Sequence, residues 1–302
     1  MFLEDKNIAQ ALQIACLLEA GADKPGNITP SKSFSDLNYR HFLFSAAAVF
    51  PAFLNIENKS VGEMIYEAVK ETHSLIDSNT NLGIILLCTP LASAYVRLRE
   101  KKGEKQRKDD FLKELRKELH LLLSNLDKKD AELAYKAINL SQAGNLAKVD
   151  EGDIRDKANM TLYQSMKLAE DRDNIAFEYV NDFKIIFEFA LPRFMENDIQ
   201  LDSINSAIIK TYLEILAEYP DSLIARKSGI KKAEEVSNMA KKLLKDIKSE
   251  TDLFSRKVSE FDNYLRNQTV KLNPGTTADL ITAVIFLRIL FEGKSIIQSW
   301  AE

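Results

Sequence analysis

The residues best suited to chemistry in this sequence are charged groups beside a rigid turn. In the stretch CLLEAGADKPGNITP, a predicted helix carries Glu19 through its last turn, and Lys24 and Asn27 follow on either side of a Pro-Gly pair. Proline fixes φ, and Gly26 permits conformations that other residues rarely adopt, so such a turn can be stiff and can approach a ligand closely. The stretch is either the solvated end of a helix or one wall of a site that handles phosphates.

A second carboxylate, Asp173, falls within an apolar stripe. From Met160 to Ala190 the stripe recurs at alternating steps of 4 and 3 residues, which predicts one long helix with the seam of a helical bundle. Asp173 occupies this seam between Ala169 and Ala176. Because an unpaired buried carboxylate costs several kcal/mol, it needs an ion-pair partner, a metal ion or a cavity. A core salt bridge and a functional role are both open.

One loop has the form of an anion site. The segment NTNLG places Asn79, Thr80, Asn81 and Gly83 just before an apolar helix. A glycine in the first turn exposes backbone N–H groups at the positive end of the helix, where phosphate is favoured, although the same residues are ordinary helix caps. The basic run from Arg97 to Lys108 is either a solvated connection or a phosphate-binding flap.

Two segments nearer the carboxyl end combine cations, a turn and an acid. Arg226 and Lys227 precede a Ser-Gly pair, and they could hold phosphates or cap the end of their helix. The NPG turn supplies Asn273 and Gly275. Asp279 follows at the start of a nearly all-apolar helix, where an acid is favourable for the helix dipole alone.

The elements that must position these residues are helices. The 302 residues contain only 10 Gly and 7 Pro, and so few breakers favour long helices over many short strands. Apolar spacing is helical nearly throughout, and Ser60 to Glu63 has the form of a capping box. Helices are predicted over the apolar segments Ile8–Leu18, Phe42–Phe53, Ile65–Ile76, Ile84–Ala94, Phe111–Leu123, Asp130–Ser141, Leu201–Tyr219, Ala233–Lys248 and Leu280–Phe291. The predicted fold is all-α, with a single multi-helix bundle domain over residues 1–302.

Composition narrows the class of protein. A net charge of −4 and a pI of about 5.7 give no reason to expect binding to nucleic acid or to membranes. We interpret Phe42–Leu54, with 13 residues, as the longest apolar stretch without a charge. Such a stretch is too short to span a bilayer. Cys16 and Cys88 are the only cysteines and suit a reducing compartment. We therefore expect a cytoplasmic protein, with a homo-oligomer possible. The sequence has no Walker, GxGxxG, HExxH or Ser/His/Asp signature, and its three histidines have no metal-ligand spacing.

Taken together, these segments resemble the triphosphoribosyl-dephospho-CoA synthase family. The resemblance covers almost the whole chain, in the order expected of the family. It is carried by the pieces EAGADKPGNI, FSDLNYRHFLFSA, NTNLGIILL, AEDRDNIAFEY, DSLIARKSG and NPGTTADLITAVIFL. Asp36 and Asp173 stand at the aspartates of the second and fourth pieces.

The resemblance implies transfer of the triphosphoribosyl group of ATP to a hydroxyl of dephospho-CoA, with release of adenine. Such chemistry needs a negative group beside an oxocarbenium-like carbon, a base for the hydroxyl, and cations and backbone dipoles for the triphosphate. Asp173 and Glu19 are the predicted catalytic carboxylates. The predicted substrate-binding residues are Lys24, Gly26, Asn27, Asn79, Thr80, Asn81, Gly83, Arg226, Lys227, Asn273 and Gly275. A Mg²⁺ ion on the triphosphate, held by Asp36 and Asp279, is the expected cofactor.

The chain also departs from the family pattern. Well-known bacterial members carry histidines where this chain has Phe34 and Ser35, and His-Lys where it has Asn81 and Leu82. These differences leave the acceptor open. One alternative is a ribosyl or phosphoribosyl-type transferase in another, pterin-like cofactor pathway. Another is a helical nucleotide-binding module without turnover.

Overall fold

The helices form where apolar residues recur at helical spacing, and most of them begin at a capping side chain or a proline. The computed structural model describes residues 2–102, 108–141, 158–201, 203–246 and 251–301. In these ranges the helices are α1 (Asp5–Gly21), α2 (Tyr39–Ala48), α3 (Val61–Leu75), α4 (Leu82–Lys102), α5 (Lys108–Ser124), α6 (Lys128–Leu140), α7 (Leu162–Lys167), α8 (Asn174–Val180), α9 (Leu191–Gln200), α10 (Ile204–Glu218), α11 (Ser222–Ser228), α12 (Ile230–Asp246), α13 (Thr251–Arg266), α14 (Gly275–Glu292) and α15 (Lys294–Ala301). Over the same ranges the only β-type pairing is an isolated bridge between Thr29 and Lys32. The all-α prediction is confirmed.

Two apolar helices form the centre of the bundle. α4 is buried from Leu82 to Val96, and α14 is buried from Leu280 to Leu290. The two helices pack against each other, and α1 and α10 pack against α14 while α3 packs against α4. An outer layer is formed by α6 on α3, α5 on α4 and α12 on α10. The apolar segments after the NTNLG loop and after the NPG turn are therefore the core helices that the sequence predicts.

The sequence correctly predicts where α3 begins, because a capping side chain marks its start. Ser60 accepts a hydrogen bond from the backbone of Glu63, and the Glu63 carboxylate accepts one in return from the backbone of Ser60. The capping box that opens α3 is confirmed. The predicted apolar face of α1 is confirmed as well, because Ile8 and Leu12 are fully buried.

The expectation that Phe42–Leu54 is the longest apolar segment is wrong. In the described part of the chain, α4 is the one helix long and apolar enough to cross a membrane, judged by length and composition alone. However, 83% of its most apolar window is buried inside the protein, as in the core helix of a globular bundle.

The predicted buried helix over Phe42–Phe53 is also wrong in extent. α2 ends at Ala48, and a short 3-10 turn over Pro51–Phe53 follows it. Proline lacks the backbone N–H that would continue the helix, so the chain turns there. The side chain of Phe44 is 51% exposed, so α2 buries only one of its faces.

The long helix predicted over Met160–Ala190 divides into three pieces. α7 and α8 are separate, and a π-helix at Ile185–Ala190 follows two residues with positive φ, Asp182 and Phe183. The break before α8 occurs because Asp173 caps the start of that helix. The break after α8 coincides with the buried Glu178, whose carboxylate accepts backbone N–H bonds of 2.8 and 3.0 Å from the first turn of the π-helix. Burial raises the pKa of Glu178 to about 8.

Two polar segments lie partly or wholly outside the described residues: the basic run, and the acidic stretch Gly144–Asp156, whose sequence predicts a loop. The acidic stretch is wholly outside them, and so are residues 103–107 of the basic run. The part of that run before residue 103 belongs to the last turns of α4.

Candidate active site

The end of α1 holds a buried ion pair between two predicted site residues. Glu19 is 4% exposed and Lys24 is 1% exposed. The Lys24 ammonium lies 3.0 Å from the Glu19 carboxylate and also donates to the carbonyls of Glu19 and Ala22. A buried ion pair is sustained only when further hydrogen bonds satisfy its members, and here all three ammonium donors have partners in the protein. Lys24 therefore holds Glu19 in place in this arrangement.

The Pro-Gly turn that follows packs tightly against the second half of the chain. Gly26 has φ of 77°, and its N–H donates to Asp262 at 2.7 Å. A Cβ at this glycine would lie 2.8 Å from Pro274, so only glycine fits both the conformation and the space. The Asn27 amide donates to the Tyr212 hydroxyl at 2.8 Å. The turn is held by these bonds and contacts, and it touches the NPG turn before α14.

The polar side chains of the NTNLG loop form hydrogen bonds to neighbouring helices. Asn79 accepts a 3.3 Å hydrogen bond from the backbone of the first turn of α4. The hydroxyls of Thr80 and Ser45 bond to each other. The buried Asn81 amide donates to Thr72 at 3.0 Å. These three residues fix the loop against α2 and α3, and they place the glycine of the loop next to an acid.

Gly83 is the point where α4 meets α8 and α14. A Cβ added at Gly83 would lie 2.0 Å from Oδ2 of Asp279 and 2.8 Å from a methyl group of Ile175. The Asp279 carboxyl group therefore occupies the space that any larger residue at position 83 would need. This contact joins the start of α4, the start of α8 and the first turns of α14.

The negative charges of three carboxylates from other elements act on Asp279. The pKa of Asp279 is raised well above its usual range, first by burial and then by the negative charges of Glu19, Asp221 and Asp173, while Arg226 lowers it. The structure thus brings four residues predicted from the sequence, Glu19, Asp173, Asp279 and Arg226, into one electrostatic neighbourhood. We call the four acids the acidic cluster.

Asp173 enters the acidic cluster as the cap of a helix, and its side chain is only half-buried. Its Oδ1 accepts backbone N–H bonds from Ile175 at 2.8 Å and from Ala176 at 3.2 Å. Within the described part of the chain, its Oδ2 has no hydrogen bond from the protein. The carboxylate is therefore held by one oxygen and leaves the other for a ligand.

Asp221 is the member of the acidic cluster that the sequence reasoning missed. It is fully buried, and it accepts hydrogen bonds from Ile224 N at 3.0 Å, Thr277 N at 2.8 Å and Thr277 Oγ1 at 2.8 Å. Burial, the main cause, raises its pKa, while these donors lower it. An aspartate directly after Tyr-Pro and before a short helix is a capping signal, so its position could have been found. Its bond to α14 could not.

The predicted cations lie at the exposed end of α11. Arg226 and Lys227 are exposed, and no carboxylate forms an ion pair with either side chain in the described ranges. Partial removal of the Lys227 ammonium from water, followed by the nearby positive charge of Arg226, lowers the pKa of Lys227, whereas Asp36 and Asp221 raise it. Two crowded cations without a bonded counter-ion are suited to an anionic ligand.

Asp36 is the second residue predicted to hold a metal ion. It is exposed, and its charge acts on Lys227, whereas Glu19, Asp221 and Asp173 are the acids that act on Asp279. The described residues contain no group of three His, Cys, Asp or Glu side chains arranged to hold a metal ion.

The NPG turn packs between α11 and the Pro-Gly turn. A Cβ at Gly275 would lie 2.6 Å from a terminal methyl group of Leu223, so α14 begins in close contact with α11. The amide oxygen of Asn273 is buried and has no hydrogen-bond donor among the residues that the structure describes. A buried acceptor without a donor costs about 1–3 kcal/mol.

Phe34 and Ser35, which precede α2, stand where the family resemblance expects histidines. Both residues contact cationic side chains. The Phe34 ring lies 5.1 Å from the Arg266 guanidinium and 4.7 Å from the Lys271 ammonium. Lys271 also donates to the Ser35 hydroxyl at 3.3 Å. Phe34 and Ser35 therefore fix this segment to the end of α13, which places Asp36 near α11.

Comparison with known proteins identifies relatives of the whole chain. The family model described as ATP:dephospho-CoA triphosphoribosyl transferase matches residues 5–297, which include every segment of the acidic cluster. A crystal structure from Archaeoglobus fulgidus, of a protein provisionally assigned as a triphosphoribosyl-dephospho-CoA synthase, is 28% identical with a TM-score of 0.65. The match covers 84% of this chain and 99% of that chain. No curated protein sequence gives a significant match.

Proposed function

The chain belongs to the ATP:dephospho-CoA triphosphoribosyl transferase family, and we propose that the acidic cluster around Asp279 is where it transfers the triphosphoribosyl group. The observation that carries this proposal is the contact of Asp279 with Gly83, under the charges of Glu19 and Asp173. These four residues come from four segments that the sequence singles out separately, and this supports a common site.

The reaction exchanges one bond at the anomeric carbon of the ATP ribose. The bond from C1′ to adenine N9 breaks, and its electron pair leaves with adenine, which takes up a proton. The acceptor hydroxyl oxygen bonds to C1′ and loses its proton, so atoms and charge balance. As in glycoside hydrolysis, positive charge develops on the sugar, and nearby carboxylates stabilise it.

Asp173 is suited to act on the reacting carbon or on the acceptor hydroxyl. Its Oδ1 is fixed by two backbone N–H groups, and its Oδ2 is available. A carboxylate oriented by one oxygen can receive a proton or face a cationic carbon with the other. Glu19 contributes a fixed negative charge, which the buried ammonium of Lys24 holds in position.

The triphosphate is proposed to lie toward Arg226 and Lys227. Among the described residues these cations have no bonded counter-ion, and the charge of Arg226 acts on Asp279. Phosphate oxygens near these side chains would form charge-assisted hydrogen bonds and would relieve the repulsion that lowers the pKa of Lys227. The structure thus supports Arg226 and Lys227 as phosphate ligands more directly than Lys24, whose donors are already used.

A Mg²⁺ ion carried by the triphosphate fits the chemistry of the donors. Mg²⁺ binds through one or two carboxylates, phosphate oxygens and water, and the residues that would hold it are Asp279 and, toward Lys227, Asp36. The ion would neutralise phosphate charge.

The test is a search for free adenine after the protein is incubated with ATP and an acceptor. We expect adenine in stoichiometric amounts with dephospho-CoA, and none with ATP alone. Release of adenine with a pterin-like acceptor but not with dephospho-CoA would show that the acceptor is not dephospho-CoA. ATP binding without adenine release under any acceptor would overturn the proposal.

A further inference from the structure

Three helices begin around the neighbouring residues Asp221 and Ser222. These residues open α11, and their side chains bond to the first turn of α14 and to the first residue of α8. Each of these helices carries part of the proposed site. α8 begins directly after Asp173, α11 carries the two cations, and α14 carries Asp279.

The Asp221 carboxylate fixes α11 relative to α14. One oxygen accepts Ile224 N at 3.0 Å, and the other accepts both the backbone N–H and the hydroxyl of Thr277 at 2.8 Å. No Lys or Arg side chain bonds to this fully buried carboxylate in the described residues. Its charge is instead compensated by N–H groups and by the positive ends of two helices. Thr277 is two residues before Asp279, so this carboxylate sets the first turn of α14.

The Ser222 hydroxyl fixes α8 to the same point. It accepts a hydrogen bond from Asn174 N at 3.2 Å and donates to the Thr276 hydroxyl at 3.1 Å. The Asn174 side chain also donates to the carbonyl of Pro220 at 3.1 Å. Because Asn174 directly follows Asp173, these bonds set the position of the Asp173 cap.

We propose that Asp221 and Ser222 are positioning residues, which hold Asp173 and Asp279 in register with Arg226 and Lys227. This inference rests on the proposed function of the acidic cluster. We do not expect either side chain to bind the substrate, because the Asp221 carboxylate and the Ser222 hydroxyl already form hydrogen bonds that link helices. Their effect on the reaction passes through the groups that they orient.

The experiment compares matched variants by steady-state adenine release with ATP and dephospho-CoA, and by thermal unfolding. Asp221→Asn removes one acceptor, because its amide group cannot accept from Thr277 N. Asp127→Asn is the control, since Asp127 also caps a helix, through a 2.9 Å bond to Asp130 N, and that helix, α6, carries no residue of the acidic cluster. Both variants keep a residue that caps helices well.

We expect Asp221→Asn to lower kcat by on the order of 100-fold with KM for ATP nearly unchanged, because displacement of a catalytic group by about 1 Å has such a cost. Asp127→Asn should keep the wild-type kcat and nearly the wild-type Tm, because Asp127 is exposed and asparagine caps a helix about as well as aspartate. Equal kcat losses in the two variants, or a rise in KM with unchanged kcat, would show a merely structural or binding role and overturn the inference.

A second pair of variants decides the case if Asp221→Asn does not fold. Thr277→Val loses the hydroxyl that donates to Asp221 and keeps the backbone bond, whereas Thr277→Ser keeps both. We expect low kcat in the valine variant and rescue in the serine variant. Equal kcat in the two, with an active wild type, would reject the positioning role and leave the proposed function intact. A wild type that releases no adenine would remove both.

Discussion

At the scale of single residues, one side chain of the acidic cluster is oriented by bonds to only one of its two carboxylate oxygens. This side chain is Asp173, whose Oδ1 accepts two backbone N–H bonds, while its Oδ2 accepts none from the residues that the structure describes. A substitution that keeps the cap and removes the charge can therefore separate folding from chemistry.

Asp173→Asn should reduce kcat for adenine release by at least about 100-fold, as loss of a general base or a charge stabiliser does. The fold should persist, because asparagine caps a helix about as well as aspartate. Steady-state kinetics and thermal unfolding measure both effects. A variant with wild-type kcat and a normal Tm would remove Asp173 from the mechanism.

Gly83→Ala should impair activity more than stability. The new methyl group would lie 2.0 Å from Oδ2 of Asp279, and the flexible acid can move aside at modest cost to the fold but not to the reaction. We expect a loss of kcat on the order of 100-fold. Gly21→Ala is the control, since a Cβ there meets only the Tyr39 hydroxyl, at 4.0 Å. Equal activity in the two alanine variants would contradict the assignment.

At the scale of elements, several helix starts meet at the site, and capping determines where they begin. The spacing of apolar residues over Met160–Ala190 fits one helix, but Asp173 and Glu178 bond to nearby backbone N–H groups and divide it. The spacing of apolar residues cannot reveal this division, because a capping aspartate at a regular position in the stripe is indistinguishable from a residue of a continuous helix. The Asp-Asn pair at the start of α8 was the signal available.

The α11 cations should affect substrate binding rather than the chemical step. We expect Arg226→Ala to weaken binding of inorganic tripolyphosphate by about tenfold or more, as loss of a hydrogen bond to a charged group does. Isothermal titration calorimetry measures the affinity. Lys117→Ala, on the exposed face of α5, should bind as the wild type does. Equal weakening in both variants would indicate a general charge effect and contradict the local site.

The buried Glu178 should make stability depend on pH. Its pKa rises from the usual 4.5 to about 8, chiefly because of burial, so the folded state holds a proton that the unfolded state releases. The stabilisation is present below pH 4.5 and is lost as pH rises toward about 8. The unfolding free energy of the wild type, relative to Glu178→Gln, should fall across this range in denaturant titrations. A difference that does not change with pH would show that Glu178 is ionised throughout.

At the scale of the whole molecule, the site joins segments that are far apart in sequence. Gly26 bonds to a residue 236 positions away, and Asp221 bonds to one 56 positions away. The sequence predicts the all-α fold and supplies most of the charged residues, because turns, caps and apolar helices have local signals. It cannot show that Lys24 pairs with Glu19 rather than with phosphate, or that Asp221 links two helices, since these pairings depend on how the bundle packs.

The central claim is that the nucleotide lies in the acidic cluster, and a crystal structure of the protein with ATP tests it most directly. We predict that C1′ of the ribose lies within about 3–3.5 Å of a carboxylate oxygen of Asp173 or Asp279, as a reactive complex requires, with the triphosphate on Arg226 and Lys227. ATP bound instead in the surface hollow lined by Arg116, His120 and Phe187, with the acidic cluster unchanged, would contradict the account.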